Sequence, residues 1–171
     1  VKRALGKTPE APAGRQHYKR VWTALSANED GAKFWVQGST DDALLTESAA
    51  NDIKRIIDDV PVNETSHVLE IGCGVGRLGG EFARRCHTWT GCDVSPNMLQ
   101  YAARRLAAFP NVRFQEISGY DLRPIGDATH DVVYSTVVFM HLSEWDRYNY
   151  VEEAYRILKP GGHLYIDNIS L

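Results

Sequence analysis

The 171-residue sequence has no long apolar run and no concentration of charge of one sign. No hydrophobic stretch approaches the roughly 18 residues of a membrane-spanning helix, and the start, VKRALGKTPEAPAGR, lacks the apolar centre of a secretion signal. The 19 basic and 22 acidic residues give a formal net charge of -3 without a Lys/Arg block. This balance disfavours nucleic acid and anionic membrane surfaces as partners. These absences predict a cytoplasmic protein whose partner is a small neutral or polar molecule.

Cysteine is also scarce. Cys73, Cys86 and Cys92 are odd in number and lack the spacing of a zinc site, so we expect reduced thiols rather than disulfides. The six histidines likewise form no pair with metal-ligand spacing on one element. The sequence therefore predicts no metal site.

The N-terminal third divides into a tail and a helical segment. Its first residues combine Gly, Ala and Pro with scattered charges, a composition that predicts a flexible tail. Apolar residues recur at helical spacing over 18–25 and 45–60, which predicts two amphipathic helices. The aromatic stretch FWVQGS at 34–39 is predicted to be a loop packed against a neighbouring surface. The predicted division is a flexible tail over 1–15, an N-terminal helical lid over 16–60 and a ligand-binding domain over 61–171.

Downstream of these helices, strand patterns alternate with helical ones. Several of the predicted strands are near-continuous apolar runs, which are typical of a parallel sheet covered on both faces. The alternation predicts a doubly wound α/β sheet of parallel strands with right-handed crossovers. The five predicted strands span 67–71, 88–93, 112–117, 131–136 and 163–168.

Local signals mark two of the helices between these strands. Ser95 followed by Pro96 predicts a capped helix start. Ser143, with Asp146 three positions later, predicts another, which ends at the Lys-Pro-Gly-Gly run over 159–162. The residues of this second helix that we predict to face the core are Trp145, Tyr148, Tyr155 and Leu158.

The segment HVLEIGCGVGRLGG is the most informative part of the sequence. An apolar run ends in Glu70, and the chain then turns through Gly72, Gly74 and Gly76, where the missing side chains let a ligand approach the backbone. Asp93 closes the second predicted strand, and ligands of doubly wound sheets bind at the carboxyl ends of strands. We therefore expect the glycine turn and Asp93 to form one site.

Two enzyme families use a turn of this kind. The spacing of Gly74, Gly76 and Gly79 satisfies the G-x-G-x-x-G pattern of nicotinamide-dependent oxidoreductases, which is a weak signal alone. Glu70, the additional Gly72 and the short distance to the acid of the second strand instead resemble class I S-adenosylmethionine-dependent methyltransferases. The resemblance continues through HDVVYSTVVFMHL and LKPGG and so covers most of the chain.

The resemblance implies a Rossmann-like fold and S-adenosylmethionine as cofactor. It also implies five parallel strands in the order 3-2-1-4-5, with the fifth strand at an edge. In this family the acid at the position of Glu70 lies beside the cofactor's amino end, and the acid at the position of Asp93 accepts the ribose hydroxyls. Ser118 stands where many relatives carry an Asp that accepts the adenine amino hydrogen. The cofactor-binding residues that the resemblance implies are Glu70, Gly72, Cys73, Gly74, Asp93, Val94, Met98, Ser118, Gly119, Tyr120 and Ser135.

Substrate-facing residues follow the fourth strand in this family. Here they are Ser135, Thr136 and Val137, not the Asn/Asp-Pro-Pro-aromatic run or the Pro-Cys pair of enzymes that modify nucleic-acid bases. We therefore expect methyl transfer to an O, N or C atom of a small molecule. His141 is the candidate catalytic base, because it follows this strand and histidine titrates near neutrality; capping or packing is its alternative role.

Two further features leave alternatives open. One is the segment that in relatives folds over the cofactor as a lid, which here contains Tyr18, Trp22, Trp35 and Gln37. The alternative role of these residues is to cover the first helix as hydrophobic packing. Relatives continue past the fifth strand with a helix and two strands, so we expect a trimmed or unusually short member whose sheet edge could pair with a second copy. The alternative functions are a non-catalytic S-adenosylmethionine-binding module and, less favoured, a nicotinamide-dependent oxidoreductase.

Overall fold

The computed structural model describes residues 17–167, so the predicted tail over 1–15 lies outside the described residues. The described helices are α1 His17–Leu25, α2 Glu29–Gln37, α3 Asp42–Asp59, α4 Gly79–Ala83, α5 Pro96–Arg105 and α6 Glu144–Ile157, with a 3-10 turn at Phe139–His141. The described strands are β1 His67–Ile71, β2 Thr88–Asp93, β3 Val112–Glu116, β4 His130–Ser135 and β5 Leu158–Ile166. Within this part of the chain, no helix combines the length and the apolar composition that a bilayer crossing demands.

The five strands form one parallel sheet in the order β3-β2-β1-β4-β5, as predicted. Within residues 17–167, β5 pairs only with β4 and is an edge strand. It begins five residues before the predicted start, because Leu158 already pairs with His130. A bulge then separates this pair from the regular register, which resumes where Val132 faces His163.

Helices cover both faces of the sheet. On one face, Val68 and Trp89 pack against residues of α3, among them Ile53. On the other face, Leu69 and Val133 pack against α6. This doubly wound arrangement leaves the carboxyl ends of the strands open, which is where the loops after β1, β2 and β4 meet.

The prediction of a loop over 34–39 is wrong, because most of this stretch is the second half of α2. The side chain of Asn28 caps the helix start by accepting the Gly31 N–H at 2.8 Å. Gly38 ends the helix in the left-handed conformation, at φ 77°, and its N–H donates to the Phe34 carbonyl at 2.6 Å. The adjacent aromatic side chains of Phe34 and Trp35 are about half exposed.

The cap of α6 is as predicted, but its buried face is not. The Ser143 side chain accepts the Asp146 N–H at 3.2 Å. Trp145, Tyr148 and Tyr155 are 82%, 60% and 81% exposed, so the prediction that they face the core is wrong. The face that packs on the sheet has a small residue at its centre, which lets the helix approach closely. This buried face consists of Tyr150, Ala154 and Ile157, and Leu158 is the first residue of β5.

Candidate active site

The glycine turn after β1 requires glycine for two reasons. Gly72 and Gly74 have φ values of 75° and 53°, in the left-handed region that favours glycine. A Cβ at Gly72 would clash with the Val138 side chain, and one at Gly74 would lie 2.7 Å from a methyl group of Val36. The turn therefore fits closely between α2 and the segment after β4.

Asp93 joins this turn to the end of β2. Its Oδ2 accepts the Gly74 N–H and its Oδ1 accepts the Ser95 N–H, both at 2.9 Å. The carboxyl is only 7% exposed, and this burial raises its pKa to about 6 against the opposing effect of the backbone hydrogen bonds. Because each carboxylate oxygen has two lone pairs, both can still accept a hydrogen bond from a ligand.

Glu70 is the second buried acid, at 2% exposure. The Tyr134 hydroxyl donates to its Oε2 at 2.7 Å, and the Trp89 indole N–H donates to that hydroxyl at 2.9 Å. Burial raises the pKa of Glu70 to about 8, although the bond from Tyr134 and the charge of Arg77 act against the shift. Arg77 in turn forms an ion pair with Asp52 of α3 at 2.6 Å. Glu70 thus belongs to a buried network that ties the glycine turn to α3.

An open cleft of about 700 Å³, which includes the solvent at its mouth, lies at the carboxyl ends of the strands. Of the predicted site residues, Gly72, Gly74, Asp93, Val94, Met98, Gly119 and His141 line it. Glu70, Cys73, Ser118, Tyr120 and Ser135 are not on its wall. Within residues 17–167, no three His, Cys, Asp or Glu side chains converge as metal ligands would.

The predicted residues away from the wall have structural contacts of their own. The Ser135 hydroxyl donates to the Ile71 carbonyl at 3.0 Å and links β4 to β1. The Ser118 hydroxyl donates to Asp121 at 2.9 Å and accepts the Tyr120 N–H at 3.2 Å, which shapes the loop after β3. The Cys73 N–H shares the Cys92 carbonyl with the N–H of Gly72.

Several residues of the cleft wall were not singled out from the sequence. Val138 and Leu142 follow β4 in the motif VVFMHL, and Ile117 directly precedes the predicted adenine loop. Their positions next to predicted site residues could have identified them from the sequence. Tyr150 lies in the middle of α6, and nothing in its spacing distinguishes it from a core residue. The wall residues missed from the sequence are Val36, Ile71, Ile117, Val138, Leu142 and Tyr150.

Val137, on the cleft wall directly after β4, has a strained backbone. Its φ is 59°, a left-handed conformation that β-branched residues rarely adopt. Such a conformation costs about 1–3 kcal/mol and persists only where the surrounding structure holds it. The side chain of the next residue, Val138, lies close to Gly72.

His141 ends the short turn after β4 and lines the same cleft. Its ring packs edge-on against Trp22 of α1, with ring centroids 5.1 Å apart. Burial lowers its pKa below the usual 6.5, so the imidazole is neutral at pH 7. Its ring nitrogens form no hydrogen bond with any residue of 17–167, which leaves them available to a ligand.

Helix α1 is fixed over the cleft at both ends. Near its start, the Tyr18 hydroxyl donates to Asp146 at 2.8 Å and accepts the Ser143 N–H at 2.9 Å, both at the start of α6. Just after its end, the hydroxyls of Ser26 and Ser95 are 2.8 Å apart and buried. Because Ser95 also donates its N–H to Asp93, the N-terminal helices are linked to the buried acid of the cleft.

The raised pKa of Glu70 predicts a pH-dependent effect of Glu70→Gln. The folded protein keeps this carboxyl protonated up to about pH 8, whereas the unfolded chain ionises it near 4.5. The free energy of unfolding of the wild type therefore decreases as the pH rises from about 4.5 to about 8, and that of the variant does not show this decrease. We expect the melting temperature of the variant relative to wild type to rise by several degrees from pH 5 to pH 8. Thermal unfolding measures it, with the exposed Glu64→Gln as control; an equal difference at both pH values would contradict the shift.

Comparison with known proteins identifies the family. Residues 69–166, more than half of the chain, match the family described as a methyltransferase domain. Phosphoethanolamine N-methyltransferase 1 of Arabidopsis thaliana is 26% identical over 142 residues, which cover 77% of this chain and 29% of that protein. Demethylmenaquinone methyltransferase of Tropheryma whipplei is 33% identical over 109 residues, covering 64% of this chain and 44% of that protein.

A solved structure shows the same fold. Phosphoethanolamine N-methyltransferase 1 of Haemonchus contortus, in complex with phosphoethanolamine and S-adenosylhomocysteine, superposes with a TM-score of 0.73 at 21% identity. The match covers 89% of this chain and 31% of that chain. The chain thus spans less than half the length of these three proteins. On the match to its sequence motifs and fold, the chain belongs to the methyltransferase-domain family.

Proposed function

We propose that the chain binds S-adenosylmethionine in the cleft and transfers its methyl group to a small-molecule acceptor. The observation that carries the proposal is Asp93, a buried carboxylate that lines the cleft and is held by the N–H groups of Gly74 and Ser95. A buried acid with unused lone pairs at the end of β2 suits a ligand with neighbouring hydroxyls, as a ribose has.

The residues present fit this cofactor. Side chains are absent at Gly72 and Gly74, so the backbone of the turn is open to the amino-acid part of the ligand. Val94 and Met98 offer apolar surface beside Asp93 for a flat base. In this proposal the predicted residues away from the cleft wall support the cofactor site through the loops that they hold, and the Gly119 backbone lies on the wall itself. The supporting residues are Glu70, Cys73, Ser118, Tyr120 and Ser135.

The bound cofactor would supply an activated methyl group on a sulfonium. The protein therefore mainly has to align the acceptor and exclude water, and alignment alone is worth about 7–11 kcal/mol. Trp22 and Trp35 of the N-terminal helices line the cleft and reduce the access of water. His141, neutral and without a hydrogen-bond partner among the described residues, removes a proton where the acceptor carries one.

The relatives support a small-molecule acceptor. One relative is named for phosphoethanolamine and another for demethylmenaquinone, and both of these compounds are small molecules. The formal net charge of -3 and the absence of a Lys/Arg block agree with a small molecule rather than nucleic acid. The methylated atom in this proposal is an O, N or C atom.

Replacing Asp93 tests the cofactor site. Asp93→Asn keeps the shape of the side chain but removes the charge, so we expect S-adenosylhomocysteine to bind about 10- to 150-fold more weakly, since hydrogen bonds to charged groups contribute about 1.5–3 kcal/mol. Calorimetric titration measures the affinity. The control is Asp131→Asn, at the opposite end of β4, where the carboxylate pairs with Lys159. Unchanged affinity in Asp93→Asn, or tighter binding of NAD than of S-adenosylhomocysteine by wild type, would contradict the proposal.

The pKa of Asp93 predicts how this affinity depends on pH. The carboxyl of the free protein titrates at about pH 6, and donor hydroxyls favour its ionised form. Affinity for S-adenosylhomocysteine should therefore be constant above pH 7 and fall as the pH drops through about 6. Calorimetry between pH 5 and 8 measures the profile, and Asp93→Asn should flatten it. A wild-type profile as flat as that of the variant would show that Asp93 is not in contact with the ligand.

The N-terminal helices should respond to the cofactor. Because Ser26 contacts Ser95, which in turn contacts Asp93, ligand binding should slow amide exchange in α1 and α2. Hydrogen exchange with and without S-adenosylhomocysteine measures this effect, with β5 at the sheet edge as the internal reference. Equal exchange in α1 and α2 under both conditions would make these helices a fixed cover rather than a lid.

A further inference from the structure

Helix α6 has a second face, which turns away from the sheet and carries three aromatic residues. The members of this face are spaced by three, four and three residues, so they form one stripe along the helix in the heptad pattern of a coiled coil. We call this stripe, which consists of Trp145, Tyr148, Glu152 and Tyr155, the α6 seam. It lies opposite the face of α6 that packs on the sheet.

The α6 seam exposes a large apolar surface. Trp145, Tyr148 and Tyr155 are 82%, 60% and 81% exposed. Because an aromatic side chain buries about 150–250 Å² in an interface, the three exposed rings together offer about 330–560 Å² to a partner. A standard interface takes about 800 Å² from each protein, so the α6 seam supplies about half of that area. A contiguous apolar patch of this size is typical of an interaction surface.

The polar atoms of the α6 seam are available to a partner. The Trp145 indole N–H, the hydroxyls of Tyr148 and Tyr155, and the Glu152 carboxylate form no hydrogen bond or ion pair with any residue of the described range 17–167. A lipid surface would strip water from the Glu152 carboxylate without supplying a donor, which is unfavourable. The partner must therefore be aromatic and must also bring a hydrogen-bond donor for Glu152.

A second copy of α6 meets both requirements when the two helices run antiparallel. With the two-fold axis level with Tyr150, Trp145 faces Tyr155 of the second copy, and Tyr148 faces Glu152. The Tyr148 hydroxyl then donates to the Glu152 carboxylate, the Trp145 N–H donates to the Tyr155 hydroxyl, and the symmetry repeats both pairs. A parallel pair would instead bring the two Glu152 carboxylates together, and their like charges repel.

The structure holds α6 in place for such a contact. Beside the α6 seam, the Asn149 side chain donates to the Tyr120 carbonyl at 3.1 Å. Arg156 donates to the carbonyls of Ile125 at 2.9 Å and Leu122 at 3.1 Å. These bonds fix the helix to the loop after β3 and leave the α6 seam uncovered by the described residues. A surface that is already ordered loses little conformational entropy on association.

From this self-complementarity we infer that the chain forms a two-fold symmetric dimer in which the α6 seams of two copies pack antiparallel. The contact uses a helix face, whereas the sequence suggested pairing through the edge of β5. Its area is at the lower end for specific interfaces, so we expect a dissociation constant of about 1–100 μM.

Two substitutions at Tyr148 test the pairing through opposite charges. Sedimentation equilibrium measures the dimer dissociation constant of the 171-residue chain up to about 300 μM, above the expected range. Tyr148→Glu places carboxylates opposite Glu152 of the second copy, so we expect dimerisation at least about 10-fold weaker. Tyr148→Lys places an ammonium there, so its dissociation constant should stay within about 3-fold of wild type or decrease. Both variants remove the same ring, so a difference between them reports the charge that faces position 148.

A matched control and three outcomes decide this experiment. Phe34→Ser removes a half-exposed aromatic side chain from α2 and should leave the dissociation constant unchanged. A wild-type chain that stays monomeric throughout overturns the inference. An unchanged dimer in Tyr148→Glu would place the contact on another surface, such as the edge of β5. Equal weakening by both substitutions would contradict the pairing of Tyr148 with Glu152.

Cysteine cross-linking tests the direction of the two helices independently. Trp145→Cys and Tyr155→Cys chains are oxidised with copper(II)–phenanthroline, separately and as a mixture, at concentrations where wild type is dimeric. The natural Cys73, Cys86 and Cys92 are buried and do not compete. We expect a disulfide-linked dimer in the mixture and none in either variant alone. Cross-linking of each variant with itself would show a parallel pair and overturn the inference, as would the absence of a cross-link in all three samples.

Discussion

The hydrogen bond from the Gly74 N–H to the Asp93 carboxylate is the interaction on which the cleft depends. It closes the turn after β1 onto the end of β2, and it needs a left-handed backbone at Gly74 that other residues adopt only with strain. The second oxygen of Asp93 holds the Ser95 N–H, and the Ser95 hydroxyl meets Ser26 between α1 and α2. One buried carboxylate thus positions the glycine turn, the start of α5 and the N-terminal helices.

Two buried acids near this turn have different surroundings. Asp93 and Glu70 are both buried and both have raised pKa values, of about 6 and about 8. Asp93 opens onto the cleft and has lone pairs left for a ligand. Glu70 instead accepts a hydrogen bond from Tyr134 among side chains that pack on α3. A raised pKa at these two acids therefore reports burial, and the geometry shows which of them lines the cleft.

Structural features that depend on local or repeated sequence patterns were predictable from the sequence, and features that depend on tertiary packing were not. The alternation of apolar strands and helices predicted the parallel doubly wound sheet, the family resemblance predicted its strand order, and the serine cap before Pro96 predicted the start of α5. The helix over Glu29–Gln37 was missed although Asn28 and Gly38 carry its cap signals, because its aromatic residues suggested a packed loop. The buried face of α6 was misjudged, since two of its faces are apolar and only the sheet selects between them. The contact of His141 with Trp22 joins residues far apart in sequence, which no local pattern reveals.

The central claim is that Asp93 and the glycine turn form the binding site for S-adenosylmethionine. A crystal structure of the chain grown with S-adenosylhomocysteine tests it most directly. The account predicts density in the cleft, with both ribose hydroxyls within hydrogen-bond distance of the Asp93 carboxylate and the amino-acid part of the ligand along Gly72 and Gly74. Density for the ligand elsewhere on the molecule, or a ribose turned away from Asp93, would contradict it.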